Sequence, residues 1–233
     1  MTPILLIVFG ISPVTAVATD LWFAAITKIA AVFVHRRGGN VDWQIVRRLW
    51  AGSLPVSLAT VVFVTAGMRI GKVDWLTTAI GILVAVAAMG LLFAPTLRES
   101  ARISRIADPA RFKARQPALT VAAGGLLGLL VSLTSVGAGA LGSVMLVVLY
   151  PLRMTPHKLV ATDIAHAIPL AIFAGTGYLI AGQVDWSMLL ALLIGSVPAV
   201  LVGSVAAQRF SATWLRIALA LVLLASAAKV IAS

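Results

Sequence analysis

Asp20 and Asp163 are the residues with the most chemistry to offer. Each lies inside a long apolar stretch, and each ends the same sentence, Val-Ala-Thr-Asp. A carboxylate in hydrocarbon is costly, so an intramembrane acid is a functional hypothesis by default. Two readings stand side by side. The acids take up and release protons to couple movement of a solute to a proton gradient, or they accept hydrogen bonds from irregular backbone and hold architecture. Thr19 and Thr162 precede them. Their hydroxyls either bond back to their own helices, a habit of membrane threonines, or face an oxyanion. Lys28 is a base lying well inside an apolar stretch rather than at its ends. It either snorkels to the nearest membrane face or attracts an anion. His166 lies three residues beyond Asp163 on the same helical face. It is either a packed histidine bonded to Asp163 or a proton relay and anion ligand.

These residues come in pairs because the chain repeats itself. Residues 10–60 lie over 153–203 at a constant offset of 143. Pro13-x-x-x-Val17-Ala18-Thr19-Asp20 returns as Pro156-x-x-x-Val160-Ala161-Thr162-Asp163. Val41-Asp42-Trp43 returns as Val184-Asp185-Trp186, and Gly52-Ser53-x-Pro55 as Gly195-Ser196-x-Pro198. The copy of His166 is Phe23, so the histidine belongs to the second half alone. The serine–proline pairs fall inside apolar stretches. There proline removes a backbone bond and kinks a helix, and small residues let helices approach.

Composition identifies the solvent. Hydrophobic residues make up 61% of the chain and charged residues 11%, against about half and a quarter in soluble domains. Apolar stretches near 20 residues recur at 15–34, 45–66, 76–95, 119–133, 159–181, 188–207 and 215–232, each close to the length that crosses ~30 Å of hydrocarbon. The reading is an all-α polytopic membrane protein. The net charge of +11 is not a nucleic-acid footprint, because the bases sit in the connections between stretches. No cysteine is present, which removes disulfides and thiolate metal sites. No metal or other cofactor is expected. With no His-Glu-x-x-His and no Gly-x-Ser-x-Gly, the chain does not read as an enzyme.

Charge gives the topology. The segment 96–116 carries Arg98, Arg102, Arg105, Arg111, Lys113 and Arg115 against Glu99 and Asp108, so it is expected to be cytoplasmic. Residues 118–150 are too long for one straight span and are broken by Ser135-Val-Gly137-Ala-Gly139-Ala-Leu-Gly142. A helical hairpin with the glycines at its turn fits better. With both hairpin ends cytoplasmic, fourteen Lys/Arg fall inside and three outside, with Lys28 inside a span. The two copies then run in opposite directions. That yields two inverted-topology repeats, each a broken helix or hairpin plus three transmembrane helices. The divisions are 1–96, a basic cytoplasmic linker at 97–117, and 118–233. The broken helix at Ser135–Gly142 would expose backbone N–H groups and a positive dipole end at mid-membrane, able to hold an anion without a full positive charge. The same turn would also serve as architecture alone. Val-Asp-Trp occurs three times, at 41–43, 73–75 and 184–186. Its acid is expected to cap a helix and its indole to anchor at headgroup level.

The duplicated Pro-x-x-x-Val-Ala-Thr-Asp, the Val-Asp-Trp helix starts and the Gly-Ser-x-Pro inside the next stretch together resemble the TauE/SafE family. The resemblance covers nearly the whole chain. It implies a multi-pass transporter of the bacterial inner membrane that exports a small sulfur-containing anion, sulfite or a sulfonate. Members carry a Gly-x-Gly-Gly-Gly signature at the start of each half; here the second half has the degenerate Val136-Gly-Ala-Gly-Ala-Leu and the first half has no counterpart. At the offset of 143, Met1 corresponds to Val144, so the first helix arm is expected to be missing or to precede Met1. Import of thiosulfate or of another small acid, and an anion channel, are the alternatives; direction follows from gradients rather than residues. The expected partners are a small anionic substrate and the bilayer, with proton coupling and a homo-oligomer both open. The residues expected to bind or couple are Thr19, Asp20, Lys28, Ser135, Gly137, Gly139, Thr162, Asp163 and His166.

Overall fold

The computed structural model describes residues 2–34, 41–69, 75–107, 109–136, 139–207, 217, 220–225 and 228. The elements are helical throughout: α1(Thr2–Phe9), α2(Pro13–Val34), α3(Trp43–Arg69), α4(Trp75–Leu92), α5(Ala94–Ala107), α6(Pro109–Thr134), α7(Ala140–Leu149), α8(Pro156–Ile180) and α9(Trp186–Ala207). Four helical stretches, Trp43–Gly67, Trp75–Leu92, Phe112–Thr134 and His157–Ile180, are long and apolar enough to cross a membrane. At 22 residues each, α2 and α9 reach about 33 Å, also a span's length. The expected stretch at 215–232 lies mostly outside the described residues.

The repeat starts its helices the same way twice. Pro13 and Pro156 open α2 and α8, where a missing N–H costs nothing. The residue before each proline is the cap. Ser12 Oγ accepts the Thr15 N–H at 3.3 Å, and Thr155 Oγ1 accepts the Lys158 N–H at 3.4 Å.

Residues 118–150 fold back as a hairpin. Gln116 near the start of α6 donates its side-chain amide to the Leu149 carbonyl at the end of α7, 2.7 Å away. Thr120 shares a 2.8 Å bond with the Tyr150 hydroxyl. The two ends of the hairpin therefore lie together. The 10 residues of α7 rise only about 15 Å, half a hydrocarbon thickness. By contrast, α6 climbs roughly 27 Å between Gln116 and Thr134. Tyr178, near the far end of α8, donates to the Ser132 carbonyl at 2.9 Å, in keeping with that height.

Glycine sets the closest helix pair. A Cβ on Gly52 of α3 would stand 2.7 Å from the Gly125 nitrogen and closer still to the Val121 carbonyl of α6; Gly124 and Gly128 of α6 lie as tightly against Leu49 and Ser53. Small residues are what let backbones approach in a membrane. The repeat copy of Gly52, Gly195, has nothing within 4 Å of the same position. Two apolar clusters fill the interior. One joins α2, α3, α4, α6 and α8 around Leu21, Val64, Ile80 and Leu170. The other joins α3, α4, α6 and α7 around Leu49, Ala87, Leu127 and Leu146. Trp43 and Trp186 stay about half exposed, at 55% and 53%, as indoles at a headgroup boundary should.

Candidate functional site

The two copies of Val-Ala-Thr-Asp are tied to each other's half. Thr19 Oγ1 accepts the backbone N–H of Asp185, and Thr162 Oγ1 accepts that of Asp42, both at 3.1 Å. At the offset of 143 these are one contact made twice, each half giving what it receives, as an isologous interface does. The start of the opposite half's α9 arrives beside Thr19, and that of α3 beside Thr162.

The acids diverge. Asp20 is buried, and its Oδ2 accepts both the backbone N–H and the hydroxyl of Thr2 at 2.7 Å. It thus caps the first turn of α1. Its copy, Asp163, is equally buried, yet its Oδ1 has no hydrogen-bond partner. The equivalent of Thr2 is Met145, inside α7, where the N–H belongs to the helix. The cation that acts electrostatically on Asp163 is Lys28 of α2, which also acts on His166. Lys28 comes from the first half and Asp163 and His166 from the second, on α2 and α8, which pack against each other.

His166 pairs differently from the expected bond to Asp163. Its Nε2 lies 3.0 Å from the Ser53 hydroxyl, with either group the donor according to tautomer. Trp50 donates its indole N–H to the His166 carbonyl at 3.4 Å. Both His166 and Ser53 lie ten residues from the start of their helices, about 15 Å deep. Ser53 of α3 reaches the imidazole there from the other half. Ser53 was legible only as half of a Gly-Ser-x-Pro pair assigned to packing. The signal that singles it out is its copy: Ser196 Oγ is buried without a partner, and Phe23 stands at the repeat position of His166.

At the break between α6 and α7, Ser135 has φ +54° and Gly139 φ +155°. Left-handed backbone at a serine is strained, and glycine supplies the second turn at no steric cost. The Ser135 hydroxyl is buried without a partner. No side chain caps the N-terminus of α7 at Gly139. Ser135 directly follows the end of α6, and Gly139 directly precedes the start of α7. Gly137 lies outside the described residues.

The Val-Asp-Trp acids do not all cap. Asp185 Oδ1 accepts the Met188 N–H at 3.0 Å and the Ser187 hydroxyl at 2.7 Å. Those bonds hold its carboxyl below the usual range, Met188 first. Asp42 is corrected. Its carboxylate turns from its own helix toward Arg153 and Lys158, at 2.7 and 3.1 Å, because the loop before α8 and the first turn of α8 each bring a cation to it. Asp74 lies outside the described residues. Among the described residues no group of three or more His, Asp or Glu is placed to hold a metal ion.

The family model for "Sulfite exporter TauE/SafE" matches residues 1–230. The chain belongs to the TauE/SafE family. This TauE/SafE member is 34% identical over 233 residues to "Probable membrane transporter protein YjnA" of Bacillus subtilis (strain 168), a match covering 99% of this chain and 90% of the relative. It is 26% identical over 201 residues to "Probable membrane transporter protein YdhB" of the same organism, covering 86% of this chain and 78% of that one. No solved structure matches it. The all-helical architecture, the family and both relatives make it a membrane transporter.

Proposed function

We propose that the chain is a secondary transporter that exports a small sulfur-containing oxyanion, sulfite or a sulfonate, across the bacterial inner membrane, with its two halves inverted and the basic linker cytoplasmic. The observation that carries this reading is the pair of reciprocal bonds, Thr19 to Asp185 and Thr162 to Asp42. The repeated motif of each half meets the other half in these bonds, which supports the reading because transporters built from inverted repeats hold their substrate between the halves. The substrate region lies between α2, α3, α7 and α8. Asp163, His166 and Lys28 supply titratable and charged groups there, and the uncapped start of α7 supplies backbone N–H groups suited to an anion. Asp163 couples transport to protons, while Asp20 holds α1.

Two measurements test this together. Single cysteines at Ser104 and Gln183 should label from opposite sides of the membrane; labelling from one side rejects the inversion. Purified protein in liposomes should take up 35S-sulfite saturably, with methanesulfonate and thiosulfate competing. Uptake that no sulfur oxyanion inhibits rejects the substrate class.

A further inference from the structure

Three cations and one buried carboxylate meet where the halves join at the basic end. Arg153 holds Asp42 with two nitrogens, Nε to Oδ2 at 2.7 Å and Nη2 to Oδ1 at 3.0 Å. Lys158 Nζ adds a contact to Oδ2 at 3.1 Å. Gln44 Oε1 accepts from both terminal nitrogens of Arg153 at 3.2 Å. Arg48 donates to the Tyr150 hydroxyl at 3.4 Å, and the Arg153 guanidinium lies 6.0 Å from the Tyr150 ring centre. The carboxylate is 4% exposed, whereas the Arg153 and Lys158 side chains are 42% and 29% exposed. The anion is inside and the cations open outward.

A positive-inside bias explains bases in a cytoplasmic connection. It does not explain why they converge on a buried acid, and the repeat supplies a control. The positions matching Arg48, Arg153 and Lys158 in the other copy are Ala191, Gly10 and Thr15. Asp185, the copy of Asp42, caps its own helix instead. The fold therefore builds this junction once with cations at these three positions and once with none at them, so these three cations are not needed to join the halves.

We propose that Arg153 and Lys158, backed by Arg48, form the capture site for the oxyanion on the basic face, and that Asp42 occupies it as an internal stand-in. The fork that Arg153 presents to the two oxygens of a carboxylate fits two oxygens on one sulfur equally well. With three cations and one carboxylate, the site keeps a net positive charge that draws a further anion toward it. An anion that takes over the fork releases Asp42. The Asp42 backbone N–H is bonded to Thr162, the neighbour of Asp163, so release loosens the contact between halves beside the proposed coupling acid. Capture and opening of this face are one event.

This inference rests on the proposed transport of an oxyanion, and its test separates the two. Half-saturating 35S-sulfite is measured on each face of oriented proteoliposomes, together with equilibrium 35S-sulfite binding to purified protein in detergent. Arg153→Gln and Lys158→Gln should each raise half-saturation on the basic face about tenfold, the scale of one lost charge-assisted contact, and leave the other face unchanged. Asp42→Asn should lower it several-fold by removing the competitor, and Arg153→Lys should fall between wild type and Arg153→Gln. Unchanged basic-face values in Arg153→Gln, or equal changes on both faces, overturn the capture site while transport stands. If wild type carries no sulfite but binds it with the same Arg153 dependence, the transport reading fails and the site survives. If it neither carries nor binds sulfite, both fall. A variant that does not fold yields no monodisperse protein in detergent; the Arg153→Lys and Asp42→Asn measurements then decide.

Discussion

Replacing Gly52 by alanine puts a methyl group where α6 already stands. The new carbon would lie 2.7 Å from the Gly125 nitrogen and 2.9 Å from the Val121 carbonyl carbon, with the Val121 oxygen nearer still. All three are backbone atoms, so no rotamer change relieves the contact and the helices must part by roughly an ångström, forfeiting dispersion along the whole seam. Overpacking of this kind costs about 1–3 kcal/mol. The alanine also gains up to ~1 kcal/mol in helix propensity, and the repeat removes that term from the comparison. Gly195→Ala makes the same change at the same repeat position, in a helix of similar length, with nothing within 4 Å. The difference between the two variants is therefore packing alone, about 2 kcal/mol. At about 2–4 °C per kcal/mol for a chain of this size, Gly52→Ala should unfold roughly 4–8 °C below Gly195→Ala. Thermal unfolding in detergent, followed by tryptophan fluorescence, reads the difference. Melting temperatures within a degree of each other would refute the glycine-seam argument.

Thr19→Val and Thr162→Val each remove one acceptor for a cross-half N–H, and each should cost about 1 kcal/mol in the same unfolding assay; a loss in one variant alone would mean that the two contacts are not equivalent. Asp163→Asn should abolish proton-gradient-driven flux but preserve anion exchange, whereas Asp20→Asn, which weakens the cap on Thr2, should lower stability and leave coupling intact; near-normal driven flux in Asp163→Asn rejects its coupling role. The Asp185 carboxyl titrates lower folded than unfolded, so its contribution is fully present above about pH 4 and is lost as pH falls through the folded value. Asp185→Asn should therefore flatten the acid limb of stability below about pH 4, and an unaltered limb would show that Met188 and Ser187 do not stabilise the carboxylate.

The helices, the hairpin and the pairing of the motifs were legible because burial and repetition write themselves along the chain. A glycine-broken apolar run of 118–150 cannot cross once, and Gln116 on the Leu149 carbonyl is the consequence. Cross-half partners were not legible. Asp42 reads as a helix cap identical to Asp185, and only the arrival of Arg153 from the loop before α8 and of Lys158 from its first turn distinguishes the two. His166 reads as a partner of Asp163 because both lie on one helix, while Ser53 comes from a helix 113 residues away. The divergence of Asp20 and Asp163 had a visible cause: Thr2 lies at a helix start and its copy, Met145, inside a helix. Sequence spacing reports neighbours along one helix. It does not report which helix of the other half passes at the same depth.

The central claim is that two joined halves carry a sulfur oxyanion by turn to either face, and counterflow tests it most directly. Proteoliposomes are loaded with unlabelled sulfite, diluted into 35S-sulfite with no ion gradient, and compared with empty ones. A carrier that returns loaded faster than empty predicts transient accumulation of label above equilibrium, abolished by unlabelled sulfite outside and insensitive to Asp163→Asn. Flux that rises linearly with concentration and ignores internal sulfite would contradict the account.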